Sequence, residues 1–119
     1  MTAVRYEREL CEYSETLGYH GERVAGSGRG RRSVCDVVLI KKGRAYLVEV
    51  KSTKNDTYYV SDKPETRQRL KSLINVSENC EATPLLAVRF KRRGKRRSWV
   101  IKKLEEDLSK VNSQDETLF

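Results

Sequence analysis

The stretch that most limits the fold is CDVVLIK (35–41), a Lys42-Gly43 turn and RAYLVEVKS (44–52). Two β-rich runs separated by a short glycine-containing turn read as an antiparallel hairpin. In the second run Ala45, Leu47, Glu49 and Lys51 share one face, and Tyr46, Val48 and Val50 share the other, because side chains alternate along a strand. The remaining elements have to cover this hairpin. Residues 3–17 read as an amphipathic helix with Tyr6, Leu10, Tyr13 and Leu17 on one side, continued by Ser14, Cys11 and Val4. Gly18 then stops it, in the position where helices commonly end.

A short strand at about 20–25 leads into the loop AGSGRGRRS, whose glycines and arginines suit a segment that approaches phosphates with its backbone. Residues 53–62 read as a polar loop holding a short strand at Tyr58 to Val60. A second helix starts near Pro64 with Ser61 or Asp62 as its cap, and carries Leu70, Leu73, Ile74 and Val76. PLLAVRF (84–90) suits a central strand, KRRGKRR (91–97) a basic turn, and SWVIKKL (98–104) the returning strand. A short helix around Leu104, Leu108 and Val111 and a loose tail complete the pattern. The order α-β-β-β-α-β-β predicts an α/β fold, a mixed central β-sheet flanked by helices. One domain over residues 1–112 and a flexible acidic tail over 113–119 are expected.

Charge narrows the partner. The chain has 25 Lys and Arg against 17 Asp and Glu, a net of +8, but residues 104–119 are acidic. Residues 1–103 therefore carry 24 basic and 12 acidic groups, a net of +12. Such an excess favours a polyanion, since each neutralised phosphate releases condensed counterions. No Lys/Arg-rich amphipathic helix with a bulky apolar face is present, so nucleic acid is favoured over a membrane surface. No apolar run approaches a membrane span, and MTAVRYEREL lacks the layout of a secretory signal. A soluble, cytoplasmic, nucleoid-associated protein is the expectation. Cys11, Cys35 and Cys80 lack zinc spacing and are read as small buried thiols, and the single His20 gives little material for a Ser–His–Asp relay.

The informative residues run against the charge trend. Glu7 projects between Leu10 and Cys11, inside the apolar arc of the first helix, where a lone carboxylate is costly unless it meets a cation or a metal. Asp36 opens one hairpin strand, and Glu49 and Lys51 lie on one face of its mate. Pairing the strands brings these three near one another. Adjacent carboxylates repel, so the site calls for a divalent cation, and hard oxygen ligands suit Mg²⁺, with Mn²⁺ as a substitute. A neighbouring lysine can orient a water there, which suggests metal-assisted phosphodiester hydrolysis. Each feature also has a plainer explanation. An E-V-K triplet is common on solvated strand faces, and Glu7 can be satisfied by a salt bridge to Arg23 or Lys51.

YEREL, RVAGSG, CDVV, LVEVKST and LLAVRF, in this order and spacing, resemble the archaeal Holliday junction resolvases (the Hjc type). These belong to the restriction-endonuclease-like superfamily with the PD-(D/E)xK signature. The resemblance runs from about Tyr6 to Phe90 and implies a restriction-endonuclease-like core. It implies that Glu7, Asp36 and Glu49 are metal ligands together with the Val50 carbonyl, and that Lys51 positions the attacking water. It also implies that Arg8 and Arg23 hold the scissile phosphate and that Ser27 contacts the same backbone. Cys35 stands where the superfamily signature has proline, and the long Gly/Arg-rich loop leaves Ser33 as an alternative to Ser27.

By the same likeness the expected activity is Mg²⁺-dependent paired nicking of opposed strands of a four-way DNA junction by a homodimer, in recombination and repair. Arg29, Arg31 and Arg32 beside the site, Lys54, and the cluster Lys91, Arg92, Arg93, Lys95, Arg96 and Arg97 form the expected DNA-contact set. The ending with Gln114 and Leu118-Phe119 resembles part of a sliding-clamp-binding tail, but it is too short for a full box, and a frayed terminus is expected. Two rivals remain. One is a nuclease of the same superfamily acting on flaps, mismatches or duplex. The other is a basic DNA-binding module without catalysis.

Overall fold

The structure, a computed structural model, describes residues 2–24, 33–91 and 99–119. In chain order the elements are α1 (Thr2–Glu15), β1 (His20–Arg23), β2 (Val37–Lys41), β3 (Arg44–Thr53), β4 (Thr57–Tyr59), α2 (Pro64–Cys80), β5 (Thr83–Phe90), β6 (Trp99–Lys103) and β7 (Lys110–Asn112). The main sheet has the order β1-β2-β3-β5-β6. Only the β3–β5 pair is parallel, and the other neighbours run antiparallel. The fold is the expected α/β arrangement with a mixed central sheet.

The hairpin forms as its sequence predicts. Lys41 pairs with Arg44 and Val37 with Val48, and the turn residues Lys42 and Gly43 have φ of 52° and 78°. Two positive φ values give the turn whose twist matches the strands it joins, and glycine takes the second without strain.

Alternation along the strands then divides the core between two faces. Val37, Leu39, Val48, Leu85, Ala87 and Ile101 point towards α1 and pack with its Tyr6 and Leu10. Leu86, Val88, Phe90 and Val100 point the other way and pack with Leu70, Leu73 and Ile74 of α2, with Leu47 alongside. Leu10, Leu73, Leu85 and Val88 are fully enclosed, and each such side chain contributes about 1.5–3 kcal/mol by leaving water. Glu49 is two residues on from Leu47, so its side chain faces α2. That parity decides which helix supplies its partner.

Three local expectations differ from the structure. The residue preceding α2 is Lys63, with no side-chain cap; Ser61 instead accepts the Lys63 N–H at 3.1 Å, and Asp62 pairs with Arg67 at 2.9 Å. Pro64 at the first helical position has no N–H to satisfy, which lessens the need for a cap. The helix expected around Leu104, Leu108 and Val111 is a turn followed by β7, which pairs with β4. So short a segment gains little as a helix, whereas Val111 paired with Tyr58 is fully buried. The last residues are docked on the edge strand: the Leu118 N–H donates to the Ile101 carbonyl at 2.9 Å, and Phe119 stacks on Tyr19 at 4.5 Å.

Candidate active site

The site begins where β2 and β3 part. The ladder ends at Val37 opposite Val48, and the Asp36 N–H still donates to the Val48 carbonyl at 2.9 Å. One step further the Asp36 side chain takes over from the departing backbone, and its Oδ2 accepts the Val50 N–H at 2.8 Å. Amide and carbonyl of one residue in an extended strand point to the same side, so the Val50 carbonyl also lies towards Asp36. Cys35, buried beside it, anchors the turn of the chain.

Glu49 is almost fully enclosed, with 3% of its side chain exposed, and it is not alone. From α2, Arg69 reaches it: Nε lies 3.1 Å from both Glu49 oxygens, and a terminal nitrogen lies 3.0 Å from Oε1. The same nitrogen is 3.2 Å from Asp36 Oδ1, and the other donates to the Ser33 carbonyl at 2.9 Å. Lys51 Nζ stands 3.4 Å from Glu49 Oε2. Two carboxylates and two cations thus meet at the opening between β2 and β3.

Burial raises the Asp36 carboxyl to about 6; the charge of Glu49 adds to this, while the Val50 N–H and Arg69 oppose it. For Arg69 burial disfavours the charge, but the hydrogen bond to Glu49 and the charges of Glu49 and Asp36 outweigh it and raise its pKa. The guanidinium therefore stays charged.

The sequence marked Glu7, Asp36, Glu49 and Lys51 as one group, and the structure brings the last three together. Glu7 approaches from α1, which covers the opposite face of the sheet. Its Oε1 accepts a hydrogen bond from Arg23 Nε at 3.1 Å, and its charge reaches Asp36, contributing to the raised carboxyl. Among the described residues no three His, Cys, Asp or Glu side chains converge as a metal cage. The Asp36–Glu49 pair nevertheless fits a divalent cation. Its oxygens already converge on one cationic group, Arg69. Mg²⁺ commonly takes one or two carboxylates and completes its shell with water and substrate phosphate.

Arg69 is the residue that the sequence reading missed. It stands four residues before Leu73, at the edge of the buried stripe of α2, so a charged residue on an apolar border was its signal, as it was for Glu7. Other residues of the expected DNA-contact set differ in setting. Arg8 and Lys54 are exposed, and Lys91 Nζ stands 5.4 Å over the Tyr6 ring, which Arg5 and Arg89 approach at 5.6 Å. Ser27, Arg29, Arg31, Arg32, Arg92, Arg93, Lys95, Arg96 and Arg97 lie outside the described residues. The three cysteines are free thiols; Cys35 is buried and Cys11 half-buried, but Cys80, at the end of α2, is exposed rather than buried. Among the described residues no helix is long and apolar enough to cross a membrane.

Comparison with known proteins agrees with the fold and points to a family. The family profile described as archaeal Holliday junction resolvase (Hjc) matches residues 2–117. A curated relative, the crossover junction endodeoxyribonuclease of Sulfolobus islandicus rod-shaped virus 1, is 30% identical over 87 residues, covering 73% of this chain and 70% of its own. The solved structure of Hjc from Archaeoglobus fulgidus, a Holliday junction resolvase from an archaeal hyperthermophile, superposes with a TM-score of 0.69 at 23% identity. The match covers 92% of this chain and 87% of that one. The structural likeness extends the shared fold beyond the hairpin to nearly the whole chain.

Proposed function

The chain belongs to the archaeal Holliday junction resolvase family, and we propose from this premise that it resolves four-way DNA junctions by metal-dependent nicking of opposed strands. The observation that carries the catalytic part is the pairing of buried Glu49 with half-buried Asp36, with Lys51 beside them, at the opening between β2 and β3. Two adjacent carboxylates, one of them enclosed, on a protein that binds a polyanion repel both each other and the substrate. They are useful there only with a cation between them and the phosphate.

A divalent cation held by Asp36 and Glu49, with the Val50 carbonyl, would polarise the scissile phosphate and make a water more acidic. The Val50 N–H fixes one Asp36 oxygen and leaves the other turned to the opening. Lys51, tethered to Glu49 yet 39% exposed, can hold the attacking water in line with the phosphorus. The exposed Arg8 and half-exposed Arg23 are suited to grip the phosphate, and Glu7 joins the centre from its margin. The products expected are 5′-phosphate and 3′-hydroxyl ends. Because one chain offers one such pair among its described residues, two symmetric cuts call for a homodimer whose two-fold axis matches the junction. A sliding-clamp contact through Gln114 and Leu118-Phe119 would require the docked tail to leave β6.

The test is incubation of the protein with Mg²⁺ and either a synthetic four-way junction or linear duplex. Paired symmetric nicks in the junction alone are expected, and their absence would overturn the reading. Asp36→Asn and Glu49→Gln should each lower cutting by at least about 100-fold, the scale of losing one electrostatic element of a site. Junction binding in a gel shift should persist. A basic binding module without catalysis would instead bind junctions in a salt-sensitive way and leave both strands intact with any divalent metal.

A further inference from the structure

We propose that Arg69 is an exchangeable counter-ion of the catalytic centre: it closes Asp36 and Glu49 in the metal-free protein and is displaced when a divalent cation enters. The proposal rests on the assignment of the metal to Asp36 and Glu49 made above. Its ground is the distribution of oxygens. Both Glu49 oxygens and Asp36 Oδ1 lie 3.0–3.2 Å from Arg69 nitrogens, and the fourth oxygen, Asp36 Oδ2, is bonded to the Val50 N–H. A divalent cation bridging the two carboxylates has to approach the same oxygens, at about 2.0–2.6 Å. It would stand where the guanidinium now lies between Glu49 and Asp36 Oδ1, so the two cations compete for one place.

Charge points the same way. With Arg69 and Lys51 against Asp36 and Glu49 the cluster is balanced without metal, so a divalent ion adds an excess that the guanidinium can relieve by moving off. Arg69 has somewhere to go, since a quarter of its side chain is exposed and it stands on the outer helix rather than on the sheet. Among the described residues its remaining anchor is one neutral acceptor, the Ser33 carbonyl. A planar fork that loses its carboxylates at the rim of the opening is suited to the phosphate that arrives there. The residue therefore lowers the affinity of the empty centre for metal, and it keeps the two carboxylates together until metal arrives.

A purely structural clip predicts the opposite effect on metal. Removing a clip lets the carboxylates splay apart, so metal binds equally or less well. Removing a competitor leaves two adjacent carboxylates opposed, among the described residues, by Lys51, so metal binds more tightly. The experiment is calorimetric titration of the full chain with Mn²⁺ alone, in wild type, Arg69→Met and Asp36→Asn, with thermal melts in EDTA and in saturating Mn²⁺. Arg69→Met should bind Mn²⁺ at least about fivefold more tightly, the lower end of ordinary coupling between ligands. It should melt lower than wild type in EDTA and recover most of the difference in Mn²⁺. Equal or weaker Mn²⁺ binding by a folded Arg69→Met protein overturns the proposal while leaving the metal assignment standing, provided Asp36→Asn abolishes binding. Undiminished binding by Asp36→Asn overturns both. If Arg69→Met does not fold in EDTA, Arg69→Gln, which retains hydrogen bonding without charge, serves for the same comparison with the same two outcomes.

Discussion

Arginine–carboxylate contacts occur on both faces of the sheet, and they differ in how much water they keep. On the α2 face Arg69, 25% exposed, joins Glu49 at 3% and Asp36 at 20%. On the α1 face Arg23 joins Glu7 with 34% and 14% exposure, and Arg5 joins Glu9 with 67% and 27%. The donor–acceptor distances are nearly equal, 3.0–3.2 Å throughout. Distance therefore does not rank these contacts. In a less polarisable surrounding each attraction is larger, and so is the penalty for leaving a charge unmatched. The site around Glu49 can store a preference for a divalent ion, while Arg23–Glu7 and Arg5–Glu9, whose arginines are a third or more exposed, adjust stability and substrate grip by small amounts.

Truncation on the two faces breaks or sharpens this comparison most directly. Glu49→Ala leaves Arg69 with Asp36 and the Ser33 carbonyl and should cost about 3 kcal/mol, the lower range for breaking an enclosed pair. Glu7→Ala should cost less than about 1 kcal/mol, as partly exposed pairs do. Urea unfolding in EDTA measures both. In Mn²⁺ titration Glu49→Gln should lose binding, whereas Glu7→Gln should stay close to wild type. Equal losses in the two variants would make Glu7 a full member of the centre and erase the distinction between the faces.

How far the sequence led can be judged from these same residues. The hairpin was legible because turn and alternation both act locally, and they fixed Glu49 and Lys51 on one face. Asp36 was legible because its strand is short and its mate adjacent. Arg69 was not joined to them because it lies 20 residues beyond Glu49, across a loop and a helix turn. The rotation of α2 about its axis depends on how Leu70, Leu73 and Ile74 seat on β5. The side from which Glu7 approaches was hidden for a related reason. Periodicity shows that a carboxylate lies on an apolar arc, but not which face of the sheet that arc covers. The terminal helix failed where local spacing competed with a distant strand partner, β4, that offered Val111 complete burial.

The pH dependence of stability tests the site around Glu49 from another direction. The Asp36 carboxyl lies at about 6 in the folded protein against an ordinary value of 3.8, because of burial and then the Glu49 charge. Folding therefore binds a proton between these values. The stability this group contributes is complete below about pH 4 and is lost as pH rises through 6. In EDTA the loss should reach about 2–3 kcal/mol, at 1.36 kcal/mol for each pH unit separating the two values. Asp36→Asn should remove that part of the pH profile, leaving the variant relatively more stable at pH 8 than at pH 4. Mn²⁺ affinity of wild type should weaken below pH 6, since the metal needs the ionised carboxylate. A profile of stability against pH that is parallel in the two proteins would mean that Asp36 keeps more water than its surroundings indicate.

Arg23 carries the smallest expected effect, and it separates a structural contact from a substrate contact. As half of a partly exposed pair it should contribute less than about 1 kcal/mol to stability, and 0.5 M salt should erase most of that by screening. If it also grips a phosphate, Arg23→Ala should weaken junction binding and lower the slope of log affinity against log salt by about 1, the share of one neutralised phosphate. Arg5, bound to Glu9 on the same helix and more exposed, is the control. Arg5→Ala should match Arg23→Ala in stability yet leave the salt slope unchanged. If both variants lower the slope equally, the α1 face acts as a diffuse basic surface. The contrast with the α2 face then becomes one between a built site and its electrostatic surroundings.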